Sequence, residues 1–441
     1  MRGSPGNIAL MAAGPAVMAA AFALTLFQSE PVSTHFYLVA WYGLIFSLDR
    51  FIHHLEGRSL IGRCGLGGFI LILFWSAVVW FFFELVNFRL QNWYYVFVTD
   101  SATVRLIGTF IAFGTVFPGI FWIAHTLSLL GLGRRIGGPV VFPFSAWRLG
   151  LLQVAGVLFL ALSLLQPQYF FALVWGSVIL FVAPINYRLG VDGLLRQLAR
   201  GDYGPTVRLL VAGMVAGLCW EFFNYWARAK WIYTVPFFDE LKLFEMPLAG
   251  FIGFPPFAVE CACVYRLLVW HRLAPAFGDF TQQRATPMGG IKHALALALG
   301  ALFSTGVFFG VESWTVASTT PRLSQVEPLD DDVRRQLERV GITYLTQLRG
   351  PGSARWWQVL SAHLDAPAQE RLGRLTDLYL HEGIGTEFGN ALAKAGLYSI
   401  EDLCRYSCSE LSQRLSAASA PDGRLPTLAQ IRVWRRRAAC E

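Results

Sequence analysis

Nine apolar runs constrain this chain most, because each is long enough to cross about 30 Å of hydrocarbon as a helix. They cover residues 8–28, 35–52, 67–88, 104–130, 147–165, 169–187, 206–226, 246–270 and 291–311. Charged residues make up only 15% of the 441 residues, whereas a soluble protein carries about 25%. The sequence therefore predicts an all-α, polytopic membrane protein. We expect the first run to be a retained anchor, not a cleaved signal peptide.

Arginines in alternate loops predict the orientation of the chain. The loops 53–66, 131–146, 188–208 and 271–290 each carry at least two arginines. Because short cytoplasmic loops are enriched in Arg and Lys, these loops and the N-terminus are expected on the cytoplasmic side of a bacterial inner membrane. The net charge of +7 is attributed to this topology signal and not to nucleic acid. Nine spans would leave residues 312–441 outside, and one miscounted span would reverse that side.

A motif occurs twice, each time at the end of an apolar run. "WFFFELVNFRLQNWYYV" (Trp80–Val96) and "CWEFFNYWARAKWIYTVP" (Cys219–Pro236) both contain Glu, Asn three residues later, and then Trp-x-Tyr. The equivalent pairs are Glu84 and Glu221, Asn87 and Asn224, Trp93 and Trp231, Tyr95 and Tyr233, and, earlier in the chain, Asp49 and Asp192. We predict two four-helix repeats, about 8–130 and 147–270, related by a pseudo-twofold axis along the membrane normal. The span 291–311 would follow them.

Buried carboxyl groups single out a candidate site. A carboxylate at the centre of a membrane helix costs about 2.5–3.5 kcal/mol, so such residues usually face a cavity or a partner charge. In the second repeat, adjacent prolines should break the helix, which is tolerated where freed carbonyls line a cavity. The predicted substrate-binding residues are Glu84, Asn87, Glu221, Asn224, Lys230, Trp231, Tyr233, Pro255, Pro256 and Glu260. An interfacial aromatic belt, ion pairs with basic neighbours and a simple proline kink remain structural alternatives.

The region after residue 312 contains a second duplication. "EPLDDDVRRQLERVGITYLTQL" (Glu327–Leu348) aligns without gaps with "EGIGTEFGNALAKAGLYSIEDL" (Glu382–Leu403). The second copy resembles a helix-hairpin-helix unit, with Gly383, Ile384 and Gly385 as the hairpin. Such hairpins often hold nucleic-acid phosphates, but the acidic residues near both hairpins would repel them. We therefore predict a packing or protein-interaction role for residues 312–441.

Cysteines and histidines give no further site. The seven cysteines form no recognisable framework; Cys404, Cys408 and Cys440 could ligate a metal, but no suitably spaced histidine completes the set. His53 and His54 lack the additional histidine clusters of a membrane di-iron hydroxylase. No phosphate loop, zinc motif or nucleophile elbow is present. The sequence predicts neither a metal site nor a cofactor.

The combination "WEFFNYWARAKWIYTVP…FEMPLAGFIGFPPFAVE" resembles a family of bacterial polytopic membrane proteins, some of which end in a helix-hairpin-helix domain. The resemblance implies the architecture and no particular reaction. We expect the chain to bind or move an amphiphile, a lipid or isoprenoid, in an intramembrane cavity lined by acidic residues. Two alternatives stay open. One is a membrane enzyme using Glu221 or Glu260 as a general acid on an isoprenoid, and the other is a scaffold that recruits a protein partner through the C-terminal domain.

Overall fold

The computed structural model describes residues 5–140, 142–235, 241–280, 290–316, 321–350, 352–419 and 423–440, and most of them are helical. The helices of the first part of the chain are α1 (Pro5–Leu26), α2 (Val32–Glu56), α3 (Leu60–Leu90), α4 (Ala102–Phe113), α5 (Val116–Leu129), α6 (Ala146–Leu165), α7 (Pro167–Phe170), α8 (Val174–Leu189), α9 (Leu194–Ala199), α10 (Gly204–Trp226), α11 (Phe254–Trp270) and α12 (Gly290–Val311). Short 3₁₀ helices at Phe171–Leu173 and Leu248–Gly253 precede α8 and α11.

Eight helical segments among the described residues are long and apolar enough to cross a membrane. They are Ala9–Leu26, Leu60–Leu90, Ala102–Leu129, Ala146–Leu165, Pro167–Leu189, Gly204–Trp226, Leu248–Trp270 and Gly290–Val311. The prediction of a helical, polytopic membrane protein is confirmed at this level.

Helix α2, which covers the second predicted span, is not among these eight segments. It is 25 residues long but carries Asp49 and Arg50 in its C-terminal half. At its start, the backbone N–H of Arg228, just after α10, donates to the carbonyl of Ser33. At its end, Glu56 lies 2.9 Å from Nε2 of His125, near the end of α5. Helix α2 therefore runs from the end of the bundle where α10 finishes to the end where α5 finishes.

A two-stranded antiparallel ribbon joins the two copies of the repeated motif. Strand β1 (Trp93–Val96) follows α3, and strand β2 (Lys230–Tyr233) follows α10. In the register of the pair, Trp93 faces Tyr233 and Tyr95 faces Trp231. Each Trp of one copy thus lies opposite the Tyr of the other, as expected for a twofold relation. Both strands lie at one end of the bundle, called the ribbon end below.

The opposite ends of the two copies differ. Asp49 is fully buried and accepts hydrogen bonds from the Ile61 backbone N–H at 3.0 Å and the Trp122 indole N–H at 3.2 Å. Asp192, its predicted equivalent, is exposed and pairs with Arg200. The aspartates therefore share a position in the alignment but have different environments, so the likeness of the copies is closest at the ribbon end.

The C-terminal region is a second helical body with its own hydrophobic core. Its helices are α13 (Asp331–Arg339), α14 (Ser353–Leu360), α15 (Ala366–Leu380), α16 (Gly385–Lys394), α17 (Ile400–Cys404), α18 (Cys408–Ala418) and α19 (Leu428–Arg437). In the duplicated stretch, α13 and the 3₁₀ helix Leu345–Leu348 recur 55 residues later (382 − 327) as α16 and α17. Gly341 and Gly396 follow the first helix of each copy with positive φ, a backbone conformation common at helix C-termini.

Cys404 and Cys440 form a disulfide across 36 residues of sequence. The prediction that the cysteines form no framework is therefore wrong for this pair. Its two members meet because the chain after α19 packs beside the end of α17, a tertiary contact that sequence spacing does not encode. Cys408, the third member of the predicted set, is a free thiol.

Candidate functional site

A cavity of about 220 Å³ lies at the ribbon end, between the two copies of the repeat. Its wall is rich in aromatic rings, which come from α2, α3, β1, α4, the 3₁₀ helix Phe171–Leu173, α8, α10, β2, α11 and α12. These rings belong to Tyr37, Trp80, Trp93, Tyr95, Phe113, Phe171, Trp175, Trp220, Trp231, Tyr233, Phe254, Phe257 and Phe308. Charged side chains are represented by Arg105, Lys230 and Glu312. Such a wall, mostly apolar with a few placed polar groups, is typical of small-molecule sites.

Glu84 lies behind this wall and holds three of its rings. The side chain is 1% exposed. Its Oε1 atom accepts hydrogen bonds from the indole N–H of Trp80 at 2.9 Å and of Trp93 at 3.0 Å. The hydroxyl of Tyr95 donates to the same atom at 2.5 Å. Glu84 is not a lining residue itself; it fixes the orientation of rings that are.

Glu221 has the equivalent position in the second copy but holds fewer rings. The hydroxyl of Tyr233 donates to Oε1 of Glu221 at 2.8 Å. The Oε2 atom is buried and has no hydrogen-bond partner among the described residues. The neighbouring Trp220 donates its indole N–H to the hydroxyl of Tyr37 at 2.5 Å instead. The doubled Glu therefore supports the same wall from both copies, with three bonds in one and one in the other.

The two asparagines of the motif anchor the strands. The Asn87 side-chain amide donates to the Trp93 carbonyl at 2.9 Å and accepts from the Asn92 N–H at 2.8 Å. The Asn224 amide binds both backbone groups of Trp231, at 3.0 and 2.9 Å. Asn follows Glu by three positions, so both side chains lie on one face of the helix. The motif therefore fixes both the position of the strand and the orientation of its aromatic rings. The asparagines do not line the cavity.

Pro255, Pro256 and Glu260 also lie outside the lining. The two prolines occupy the first turn of α11, where a missing backbone N–H costs no helical hydrogen bond. The change from 3₁₀ to α-helix just before them turns Phe254 and Phe257 towards the cavity. Glu260 is buried and its Oε1 atom accepts from the Val178 N–H at 3.2 Å, so it connects α11 to the first turns of α8.

An ion-pair cluster, called the docking cluster below, joins the membrane part to the C-terminal domain. Lys230 Nζ lies 3.7 Å from Glu245 and 3.2 Å from Glu382, and Arg437 contacts both carboxylates. Glu245 is fully buried. Burial alone would raise the pKa of Glu382, but the opposite charges of Lys230 and Arg437 hold the pKa below its usual value.

The hairpin residues Gly383, Ile384 and Gly385 pack against the chain's own ribbon. A Cβ at Gly383 would lie 2.5 Å from the Tyr94 hydroxyl, and the Gly383 carbonyl accepts from the Trp434 indole at 2.8 Å. Ile384 is fully buried. Tyr94, Val96 and Ile232 share the hydrophobic core of the C-terminal domain. The ribbon therefore carries the cavity wall on one face and the docked domain on the other.

Several lining residues were not found from the sequence. Arg105 and Glu312, separated by 207 residues, form a bidentate ion pair, with Nε of Arg105 3.0 Å from both carboxylate oxygens. Their placement at the start of the fourth and just after the ninth apolar run was the available signal. Trp80, Trp175 and Trp220 lie inside uniformly apolar runs, where composition does not separate a lining ring from a core ring. Among the described carboxyl groups, Glu312 alone lines the cavity.

Comparisons of the chain with protein-family models, curated proteins and solved structures find no match.

Proposed function

We propose that this chain is a bacterial inner-membrane protein that binds an amphiphile, a lipid or isoprenoid, at the ribbon-end cavity. The observation that carries the proposal is the aromatic wall built jointly by the two copies. Trp93, Tyr95, Trp231 and Tyr233 occupy equivalent positions around one space. Tryptophan and tyrosine concentrate at the headgroup level of membranes, which supports binding of the headgroup end of a molecule whose chain stays in the bilayer.

The size of the cavity fits such a partial occupancy. A cavity of about 150 Å³ is large enough for benzene, and this one is about 220 Å³. A whole lipid does not fit, but a headgroup does. The strand pairing and the buried supports, Glu84 and Glu221, preorganise the wall, which lowers the cost of ordering side chains on binding.

The geometry favours binding over general-acid catalysis. Glu84 and Glu221 accept hydrogen bonds from the wall, Glu260 binds α8, and Glu312 is held by Arg105. A general acid must reach the group it protonates, and none of the predicted acids lines the cavity. The hairpin packs against the ribbon, which favours an intramolecular docking role over recruitment of a partner.

Three observations support the finer topology, with nine spans, a cytoplasmic N-terminus and an extracytoplasmic C-terminal domain. Helix α2 runs from the ribbon end, where α10 finishes, to the opposite end, where α5 finishes. The Cys404–Cys440 disulfide fits an oxidising compartment such as the bacterial periplasm. The arginine-rich loops fit the cytoplasmic side. We further propose membership of the resembling family, with residues 312–441 as a duplicated helix-hairpin-helix domain.

The double substitution Trp93→Ala and Trp231→Ala is expected to abolish retention of a co-purifying lipid. The double substitution removes one tryptophan ring of each copy from the wall. Contacts between aromatic rings contribute about 0.5–1.5 kcal/mol each beyond the area that they bury. Native mass spectrometry of protein released gently from membranes identifies the bound lipid. Trp147→Ala is the matched control, because Trp147 is 65% exposed on α6. Equal lipid retention by the wild type, the double variant and Trp147→Ala would contradict the proposal.

A further inference from the structure

We infer that the cavity selects an ammonium headgroup, that of a zwitterionic or cationic amphiphile. The inference rests on the proposed function and names the chemical class of its ligand. Three features of the cavity carry it: five of its rings already donate hydrogen bonds to protein acceptors, the carboxyl groups of Glu84 and Glu221 lie behind four of those rings, and the basic side chains at its edge are already paired.

Five aromatic rings of the wall offer their ring surface but no free donor. An indole has one donor and a phenol one O–H. Trp80, Trp93 and Tyr95 give theirs to Glu84. Tyr233 gives its O–H to Glu221, and Trp220 gives its N–H to Tyr37. Five rings of the wall thus already donate their hydrogen bonds to protein acceptors, so none of these five donors is available to an anionic headgroup.

Ring surface of this kind attracts cations. The π face of an aromatic ring carries negative charge density, and tryptophan binds an ammonium group best. Hydrogen bonds polarise one another in a buried network, so donation to a carboxyl group makes the rings of Trp93 and Tyr95 richer in electrons. Cages of aromatic rings are the common protein solution for quaternary ammonium ligands. The two copies supply such rings side by side on one face of the ribbon, with Trp93 beside Tyr233 and Tyr95 beside Trp231.

The basic residues at the edge do not reverse this preference. Arg105 is bidentate to Glu312, and Lys230 is held between Glu245 and Glu382. An anionic headgroup would have to draw a cation out of these pairs, and separating a largely buried pair leaves an uncompensated charge. An ammonium headgroup leaves both pairs intact.

The test compares two detergents of the same shape in wild-type protein. One is dodecylphosphocholine, and the other is its isostere in which a 3,3-dimethylbutyl group replaces the choline, so that only the positive charge is lost. Binding is followed by tryptophan fluorescence in nanodiscs of phosphatidylglycerol, a lipid without an ammonium group. We expect the phosphocholine to bind about tenfold more tightly. Glu84→Gln should reduce that ratio.

Each outcome separates the inference from the function it rests on. Equal binding of the two detergents would overturn the ammonium preference and leave amphiphile binding intact. No binding of either would overturn both. Free choline that binds as tightly as dodecylphosphocholine would support the ammonium site and contradict an amphiphilic ligand, because the tail would then contribute nothing.

Discussion

Glu84→Ala is expected to be among the most damaging single substitutions in the membrane part of the chain, costing about 2–5 kcal/mol of unfolding free energy. Three lost hydrogen bonds at about 0.6 kcal/mol each give the lower bound, and the cost of leaving buried donors unsatisfied gives the upper one. The donors of Trp80, Trp93 and Tyr95 would lose their common acceptor. Lipid retention should fall at least about tenfold, because the wall loses its support.

The equivalent residue of the second copy supplies the comparison. Glu221 accepts one hydrogen bond from the wall, so Glu221→Ala should cost about 1–2 kcal/mol. Both free energies are measured by chemical unfolding in the same detergent, with lipid retention measured by native mass spectrometry. We expect Glu84→Ala to lower the free energy of unfolding more than Glu221→Ala does. A larger loss for Glu221→Ala would contradict the assignment of Glu84 as the main support of the wall.

Removing both cations of the docking cluster should release the C-terminal domain from the ribbon. In Lys230→Ala with Arg437→Ala, Glu245 and Glu382 lose the partners that contact them. Removing the partners of a buried carboxylate such as Glu245 costs about 3–5 kcal/mol. Hydrogen exchange at the β1 and β2 amides should accelerate, since the outer face of the ribbon would be uncovered.

Two variants control this experiment. Lys394→Ala with Arg405→Ala removes the same charge from two pairs, with Glu327 and Asp402, whose cations are exposed, and the expected cost is only about 0–1 kcal/mol per pair. Adding Glu245→Gln and Glu382→Gln to the double variant should restore part of the docking, because no charge is left buried. If the double variant and its exposed control exchange at the same rate, the cluster does not hold the domain.

Hydrophobic patterning and the repeated motif are the features from which the sequence predicts the helices and the candidate site. Long apolar runs determine where helices form, and the recurrence of Glu84 and Asn87 as Glu221 and Asn224 marks two segments that lie at the same end of the bundle. The motif contains strand formers, yet the pairing of β1 with β2 joins residues between 134 (230 − 96) and 140 (233 − 93) positions apart. Such a contact depends on the packing of the helices that precede each strand.

The roles of the carboxyl groups lie beyond sequence reasoning for a related reason. A glutamate in an apolar helix is expensive wherever it points, and the sequence does not say whether its oxygens face a ligand or the side chains around that ligand. Glu84 and Glu221 face Tyr95 and Tyr233, because each strand folds back onto the helix before it. The Arg105–Glu312 pair joins α4 to the end of α12 and needs the complete bundle.

The most direct test of amphiphile binding at this cavity is to fill the cavity from its wall. Gly108 lines it on α4, and a Cβ there meets nothing within 4 Å. Gly306 on α12 is equally free of contacts but lies outside the lining. Native mass spectrometry of Gly108→Trp and Gly306→Trp would compare the lipid each retains. Loss of the lipid in Gly108→Trp alone is the predicted result, and full retention in Gly108→Trp would show that the amphiphile binds elsewhere or not at all.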